Sequence, residues 1–289
     1  LMRTVIPVKR SMHVFHGELF SVQPDWLQRL ADIGLEQRTD WTQLASEETV
    51  SASVNVTSNF RFELQDGAAV FFKRYVYRKI RFKYWLQPSK AAVEAAGFHD
   101  LEQMGIPTLK TIAYGERRWF GLLQAAFIVT EGVHNTIELG IFLAHQWINM
   151  TQPEKDETLR KLQAILVRQL KAAHGSGFYH WDLKLRNILL QDYPKQPRLI
   201  WIDCPRSRRK TANDYRGMVT DLAAMARVGC RVLTRGRQMR FLLDYCDNDR
   251  MLARRLYRSI AMELEKRPPR PLWHLLPKDH PEFIRNMKQ

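Results

Sequence analysis

Three cysteines, Cys204, Cys230 and Cys246, are all that this 289-residue chain contains. They are too few and too scattered for a disulfide framework, and none forms the CxxC pair of a zinc site, so a reducing cytosol is the expected setting. No stretch approaches the roughly 18–20 apolar residues of a membrane span. The longest apolar run, Phe120 to Thr130, is too short. The N-terminal residues lack the apolar core of a signal peptide. Any membrane contact is therefore expected to be peripheral. Internal repeats and low-complexity segments are also missing, and so is a GxGxxG loop, the usual glycine-rich grip on nucleotide phosphates.

What the chain has in quantity is positive charge. It carries 45 Lys+Arg against 30 Asp+Glu, a net +15, and 45% of its residues are hydrophobic. That is enough for a sizeable core in two parts. The charge is uneven: from Arg206 to the end there are 20 Lys+Arg against 9 Asp+Glu. A basic C-terminal part suits anionic partners such as phospholipid headgroups, phosphorylated glycans or nucleic acid.

Residues 1 to 40 say little. Pro24-Asp25-Trp26-Leu27 is expected to start a short helix, with Asp25 as its cap and Leu27, Leu30 and Ile33 on one face. From Val50 the pattern becomes strand-like. Asn59 to Leu64 alternates with period two, Asp66-Gly67 is a hairpin turn signal, and Ala69 to Lys73 reads as the next strand, with Lys73 at its end. Residues 74 to 90 are dense in Arg, Lys and aromatics. A helix capped at Pro88-Ser89 should run to about Met104 and stop at Gly105-Ile106-Pro107. Strands are expected near Thr108 to Ala113 and Leu122 to Thr130. Beyond Glu131 the chain reads as mostly helical. Leu159, Leu162, Ile165, Leu166 and Leu170 form one stripe of a helix ending near Gly175. Further helices are expected around Asp221 to Val232, Arg237 to Tyr245 and Asp249 to Lys266. The order is antiparallel sheet plus one helix, then helices, with a ligand cleft expected between the two parts.

Residues 178 to 190, Phe-Tyr-His-Trp-Asp-Leu-Lys-Leu-Arg-Asn-Ile-Leu-Leu, have the form H-x-D-L-x-x-x-N of a kinase-type catalytic loop. Leu199-Ile200-Trp201-Ile202-Asp203 then delivers an aspartate at the end of an apolar strand. Phosphoryl transfer needs a carboxylate to orient and deprotonate the acceptor hydroxyl, and oxygen ligands to hold metal on the phosphates. Asp182 fits the base, and Asn187 and Asp203 fit Mg²⁺ ligands. Lys184 could neutralise the transferred group. Upstream, Lys73 on a strand and Glu94 on the next helix fit the ion pair that steadies the α- and β-phosphates of ATP. His180 and His174 read as structural. Where the glycine loop would be, Asn55 to Phe60 has no glycine, and Ser58 and Asn59 are the candidate phosphate contacts.

These motifs, in this order, resemble the lipopolysaccharide kinases of the Kdo/WaaP family. The resemblance runs from about Phe60 to Lys266 and includes Phe72-Lys73, Ser89 to Glu94, Phe127 to Glu131, His180 to Leu189, Leu199 to Asp203, Asp221-Leu222 and Arg240 to Leu242. It implies an α+β, bilobal protein-kinase-like fold. Residues 1–130 would form an N-terminal lobe, an ATP-binding antiparallel sheet plus helix. Residues 131–289 would form a mostly helical C-terminal lobe carrying the catalytic loop. It also implies ATP- and Mg²⁺-dependent phosphorylation of an inner-core heptose or Kdo, on lipid-linked core oligosaccharide at the cytoplasmic face of the inner membrane. Thr130 and Glu131 would lie beside the adenine.

The chain departs from protein kinases in two places. Cys204-Pro205 replaces Phe-Gly after the metal aspartate. Trp181 replaces the arginine that pairs with an activation-loop phosphate. Only about 17 residues separate Asp203 from the helix expected at Asp221, and there is no A-P-E. A glycan or small-molecule acceptor is thus preferred over a protein. The rival readings are a pseudokinase scaffold, favoured by the missing glycine loop, and a protein or small-metabolite kinase. A nucleic-acid binder would leave the catalytic set unexplained. Oligomeric state is not readable from the sequence.

Overall fold

A computed structural model describes residues 9–31, 33–35, 40–46, 49–53, 57–77, 82–269 and 271–272. The chain divides into two compact units. The first comprises Leu1–Gln103, Thr108–His134 and Asp203–Arg206, and the second Met104–Pro107, Asn135–Ile202 and Ser207–Gln289.

The first unit is built on a six-stranded antiparallel sheet. Its strands are β1 (Gly17–Val22), β2 (Thr49–Ser53), β3 (Thr57–Glu63), β4 (Ala69–Val76), β5 (Thr111–Trp119) and β6 (Leu122–Glu131), in the order β1-β5-β6-β4-β3-β2. Period-two alternation sorts β4 into two sets. Val70 and Phe72 enter an apolar cluster with Phe20, Trp26, Trp41 and Phe127. The rings of Phe72 and Phe127 stack at 5.4 Å, and both are fully buried. Each such side chain contributes about 2–3 kcal/mol by leaving water. Phe71, Lys73 and Tyr75 form the alternate set, and the side chains of Lys73 and Tyr75 meet helix α2 (Lys90–Gln103). Ser89 Oγ accepts the Ala92 N–H and caps that helix as expected.

β5 carries a pair that composition hides. Glu116 and Arg118, two apart and so on one face, bond at 2.9 Å with both side chains wholly buried. Arg118 also donates to the carbonyls of Gly121 and Gln87. Glu116 accepts the His13 backbone N–H at 3.0 Å, which ties the N-terminal segment to the sheet.

The second unit is mostly helical. A short helix α3 (Leu139–Ile141) continues as a π turn, Phe142–Gln146, and a 3-10 turn, Trp147–Asn149. Then come α4 (Gln152–Gly175), α5 (Tyr215–Val232), α6 (Arg235–Tyr245) and α7 (Arg250–Lys266). Thr151 and Glu154 form a capping box on α4. Asp214, Thr234 and Asp249 cap the three later helices through side-chain oxygens. A small sheet has the order β10 (Arg198–Trp201), β9 (Ile188–Gln191), β7 (Thr136–Glu138). A two-stranded ribbon pairs β8 (Phe178–Tyr179) with β11 (Arg208–Arg209).

Several expectations shift. β4 runs on to Val76, so Lys73 lies inside the strand. β5 begins at Thr111 rather than Thr108. Asp25 is not a cap: it sits inside a 3-10 turn, Pro24–Trp26, whose N-cap is Gln23. On the helix that follows, α1 (Leu27–Ala31), Leu27 is exposed and Leu30 buried, because Trp26 takes the inward position instead. α5 starts six residues before Asp221, at Tyr215, because Asp214 supplies the cap.

Candidate active site

In the first unit, Lys73 Nζ lies 2.9 and 3.1 Å from the two carboxylate oxygens of Glu94 and 2.5 Å from Asp203 Oδ1. Strand alternation supplies the lysine, and the second turn of α2 supplies the glutamate. Tyr75 donates its hydroxyl to Glu94 Oε2 at 2.6 Å, so the carboxylate is held from two sides. Burial alone would lower the Lys73 pKa, but Glu94 and Asp203 outweigh it and raise it, keeping the ammonium charged. Burial pushes the Glu94 carboxyl up, Asp203 adds to that, and Lys73 opposes it. One cation is shared by two carboxylates.

Asp203 has φ +60°, in the left-handed region. Cys204 behind it is fully buried, with its Sγ 3.6 Å from the Glu94 carbonyl. Burial, and then the nearby Glu94 charge, hold its thiol pKa well above the usual range.

In the second unit, the loop after β8 carries the other candidates. Lys184 Nζ reaches Asp182 at 2.6 and 2.9 Å through its two oxygens. The Asp182 carbonyl accepts both the Lys184 N–H and the Asn187 side-chain amide, each at 2.8 Å. Asn187 thus spends its Nδ2 on the loop, which leaves its amide oxygen as the atom able to take a cation. Its backbone carbonyl accepts the N–H of Ile202, the residue before Asp203. His180, fully buried, bonds through Nε2 to the Ile202 carbonyl at 3.0 Å. Its role is to brace the loop against β10, as expected of a structural histidine.

Ser58 and Asn59 do not lie on a turn. Both are in the body of β3, opposite Arg74 and Lys73 respectively. Asn59 therefore shares the Lys73 face, and its buried Oδ1 has no hydrogen-bond partner among the described residues. Ser58 belongs to the opposite face, with Arg74. Asn55 and Val56 lie outside the described residues. Thr130 is buried at the end of β6, and the Glu131 N–H bonds the Lys110 carbonyl at 3.0 Å.

The donors suit magnesium, which takes hard oxygen ligands and keeps waters and phosphates in its shell. Asp203 already faces a cation in Lys73, and Asn187 offers an amide oxygen. Among the described residues there is no cluster of three or more His, Cys, Asp or Glu that would hold a metal by itself.

Two features escaped the sequence reading. Asp221, read as a helix start, is a wholly buried residue in the second turn of α5. It accepts the backbone N–H groups of His180 at 2.8 Å and Trp181 at 2.7 Å, and His174 Nε2 lies 3.4 Å away. His174 bonds Tyr245 through Nδ1 at 2.7 Å. Asp221 thus pins the two residues before Asp182, including Trp181 at φ +62°. The second feature surrounds Trp181. Its indole carries Arg208 at 4.2 Å, Lys210 at 5.7 Å and Arg216 at 5.9 Å. Three cations thus gather over one ring beside Asp182.

A strand lysine bonded to a helix glutamate, an HxDLxxxN loop and an aspartate ending the next hairpin define the protein-kinase-like fold, here in an α+β chain with an N-terminal antiparallel sheet and a helical C-terminal part. The sequence profile of the lipopolysaccharide kinase (Kdo/WaaP) family matches residues 59–245, and the chain belongs to that family. It is 32% identical over 150 residues to the lipopolysaccharide core heptose(I) kinase WaaP of Pseudomonas aeruginosa, covering 50% of this chain and 55% of that one. Over 92 residues it is 32% identical to the enzyme of the same name from Escherichia coli K12, covering 32% of this chain and 34% of that one. The chain spans about half the length, or less, of the curated relatives it matches. A solved structure, WaaP in complex with acyl carrier protein, superposes with a TM-score of 0.62 at 27% identity, covering 77% of this chain and 89% of that one.

Proposed function

We propose that this protein is an ATP-dependent kinase that phosphorylates an inner-core sugar of lipopolysaccharide, a heptose or Kdo. The observation that carries the reading is Lys73 bonded to both Glu94 and Asp203. A pseudokinase has no need to keep that trio intact alongside the Asp182 loop.

In this reading residues 1–130 act as the nucleotide lobe and residues 131–289 as the acceptor lobe. Lys73, positioned by Glu94, binds the α- and β-phosphates, and Asn59 lies on the same strand face to help. Ser58 faces away from Lys73, with Arg74, so its side chain takes no part in phosphate binding. Thr130 and Glu131 flank the adenine. Asp182 orients the acceptor hydroxyl and takes its proton. Lys184, already at Asp182, screens the charge of the transferred group. Asn187 and Asp203 would hold Mg²⁺, which when bound offsets phosphate charge. The cations over Trp181 favour an anionic glycan acceptor, carried on lipid and met at the cytoplasmic face of the inner membrane. No helix among the described residues is long and apolar enough to cross a membrane, so that contact would be peripheral.

The test is transfer of label from ATP to dephosphorylated core lipopolysaccharide, with a generic protein acceptor alongside. Wild type should label the glycan only. Asp182→Asn should lower turnover at least about a hundredfold, the lower end of the range for general-base loss, while still binding nucleotide. Unchanged turnover in that variant would sink the base assignment.

A specific observation favours a second partner. The helical unit holds a half-open cavity of about 180 Å³, lined by apolar side chains including Leu139, Leu162, Leu222, Met225 and Ile260. Since the structural relative was solved with acyl carrier protein, we infer that this cavity takes an acyl chain delivered by such a carrier. Acylated carrier should raise the thermal midpoint, and the carrier without its acyl chain should not.

A further inference from the structure

One edge of the first unit has a surface that the phosphotransfer chemistry does not use. Phe15, Trp85, Leu86, Trp119 and Phe120 are each between 41% and 54% exposed, and Phe82 is 83% exposed. They form one patch. Phe120 meets Phe15 at 6.1 Å and Trp119 at 5.4 Å between ring centroids. Trp85 donates its indole N–H to the Phe120 carbonyl at 3.1 Å, and the Leu86 N–H bonds the Gly121 carbonyl at 3.1 Å. The Trp85 N–H bonds the Phe82 carbonyl one turn back. Single exposed apolar residues are ordinary, but a contiguous aromatic cluster of this kind marks an interaction surface.

The backbone makes the choice of residues stranger. Phe120 and Gly121 form the two-residue turn between β5 and β6, with φ +45° and +81°. A turn with both central φ values positive favours Asn-Gly. Leu86 is also left-handed, at φ +54°. Bulky apolar residues are disfavoured in that region. Two of the patch residues are therefore exposed, apolar and in conformations that suit Asn or Gly. Gly121 itself is forced, since a Cβ there would meet the Trp85 indole at 2.8 Å.

The segment that carries Phe82 to Leu86 has charge of one sign along the sequence. Residues 74 to 93 contain six Lys+Arg (Arg74, Arg78, Lys79, Arg81, Lys83 and Lys90) and no Asp or Glu. Lys83 is exposed within the patch. Tryptophan and phenylalanine rings beside a basic segment match the interface of a bilayer with anionic headgroups.

We propose that this aromatic tip, Phe82 to Leu86 with Trp119-Phe120 and Phe15, is the surface by which the protein docks on anionic lipid. The proposal rests on the lipid-linked acceptor reading above and names the face that meets the membrane. Phe120 and Trp119 enter the headgroup region, and the basic segment supplies the long-range attraction.

The experiment is co-sedimentation of the whole chain with vesicles of mixed phosphatidylcholine and phosphatidylglycerol, and of phosphatidylcholine alone. Wild type should bind the mixed vesicles, less tightly as salt rises, and should bind the neutral ones weakly. Phe120→Gly should weaken binding about tenfold through lost apolar burial. Its denaturation midpoint should stay the same or rise, because glycine relieves the positive φ. That combination separates docking from misfolding. Leu86→Gly should behave the same way, and Lys83→Glu should lose mainly the salt-dependent part. Equal vesicle binding by wild type and both glycine variants overturns the proposal. So does a dimer that Phe120→Gly dissolves, coupled with no vesicle binding. Transfer to a soluble, delipidated core oligosaccharide should be the same in wild type and Phe120→Gly. Its failure in wild type would refute the kinase reading alone and leave the vesicle result standing.

Discussion

Asp221→Asn is the substitution that bears most directly on the Asp182 loop. The residue is wholly buried, and its two oxygens accept the N–H groups of Trp181 and His180 at 2.7 and 2.8 Å. An asparagine of the same shape keeps one acceptor but points an NH₂ at the other backbone N–H. That site loses a charge-assisted hydrogen bond and leaves a buried donor unsatisfied, for a cost of about 3 kcal/mol. Alanine would orphan both donors and cost about 4–5 kcal/mol, close to the whole stability of many domains, so asparagine is the informative change. The loss should appear in urea unfolding as a lower midpoint with an unchanged slope. Turnover should fall as well, because Trp181 at φ +62° has nothing else among the described residues to hold its N–H, and Asp182 follows it directly. His174 shares the same carboxylate, so His174→Ala and Asp221→Asn should be non-additive by at least about 0.5 kcal/mol. Wild-type stability and turnover in Asp221→Asn would refute the idea that this carboxylate sets the loop.

The remaining predictions concern the nucleotide side. Lys73→Met leaves Glu94 and Asp203 without their shared cation, and should cost about 2–4 kcal/mol of stability, short of the full buried-pair penalty because Asp203 is partly exposed, while abolishing ATP binding. Calorimetry with a non-hydrolysable nucleotide checks it. Because burial raises the Glu94 pKa above the usual glutamate range, the carboxylate form that positions Lys73 is lost as pH falls through that raised value. Nucleotide affinity should therefore decline earlier on the acid side in wild type than in Glu94→Gln, which is weak at all pH and lacks this limb. For stability the sign is opposite: a raised carboxyl pKa favours the fold at low pH, and that contribution fades as pH rises from the unfolded to the folded value. Glu94→Gln should thus flatten the pH dependence of the denaturation midpoint.

The parts of the site that were legible in the sequence are those that local spacing dictates. Asp182, Lys184 and Asn187 lie within one loop, and their hydrogen bonds follow from that proximity. Lys73 and Glu94 were legible because a strand and the next helix present them in order. β1 was not legible, because four of its six residues are buried on successive positions and leave no period-two pattern. Glu116 and Arg118 give no sign in the sequence, since only the tertiary fold reveals that they bury each other. Asp221 is a similar case: an aspartate 40 residues from the loop gives no local sign that two of the loop's backbone donors end on it. The position of the missing glycine loop puts Ser58 and Asn59 on a turn, but β-pairing to Arg74 and Lys73 extends the strand through both.

The thiol behind Asp203 has a practical consequence. Cys204 is fully buried against the Glu94 backbone, and its raised pKa leaves little thiolate at neutral pH. Alkylating reagents attack the thiolate, so modification of Cys204 has to wait for the segment to open. The residue is a built-in clock for that opening. Its labelling rate, followed by mass spectrometry against the more exposed Cys230, reads the breathing of the Asp203 segment without any added probe. A nucleotide that clamps the segment should slow the clock.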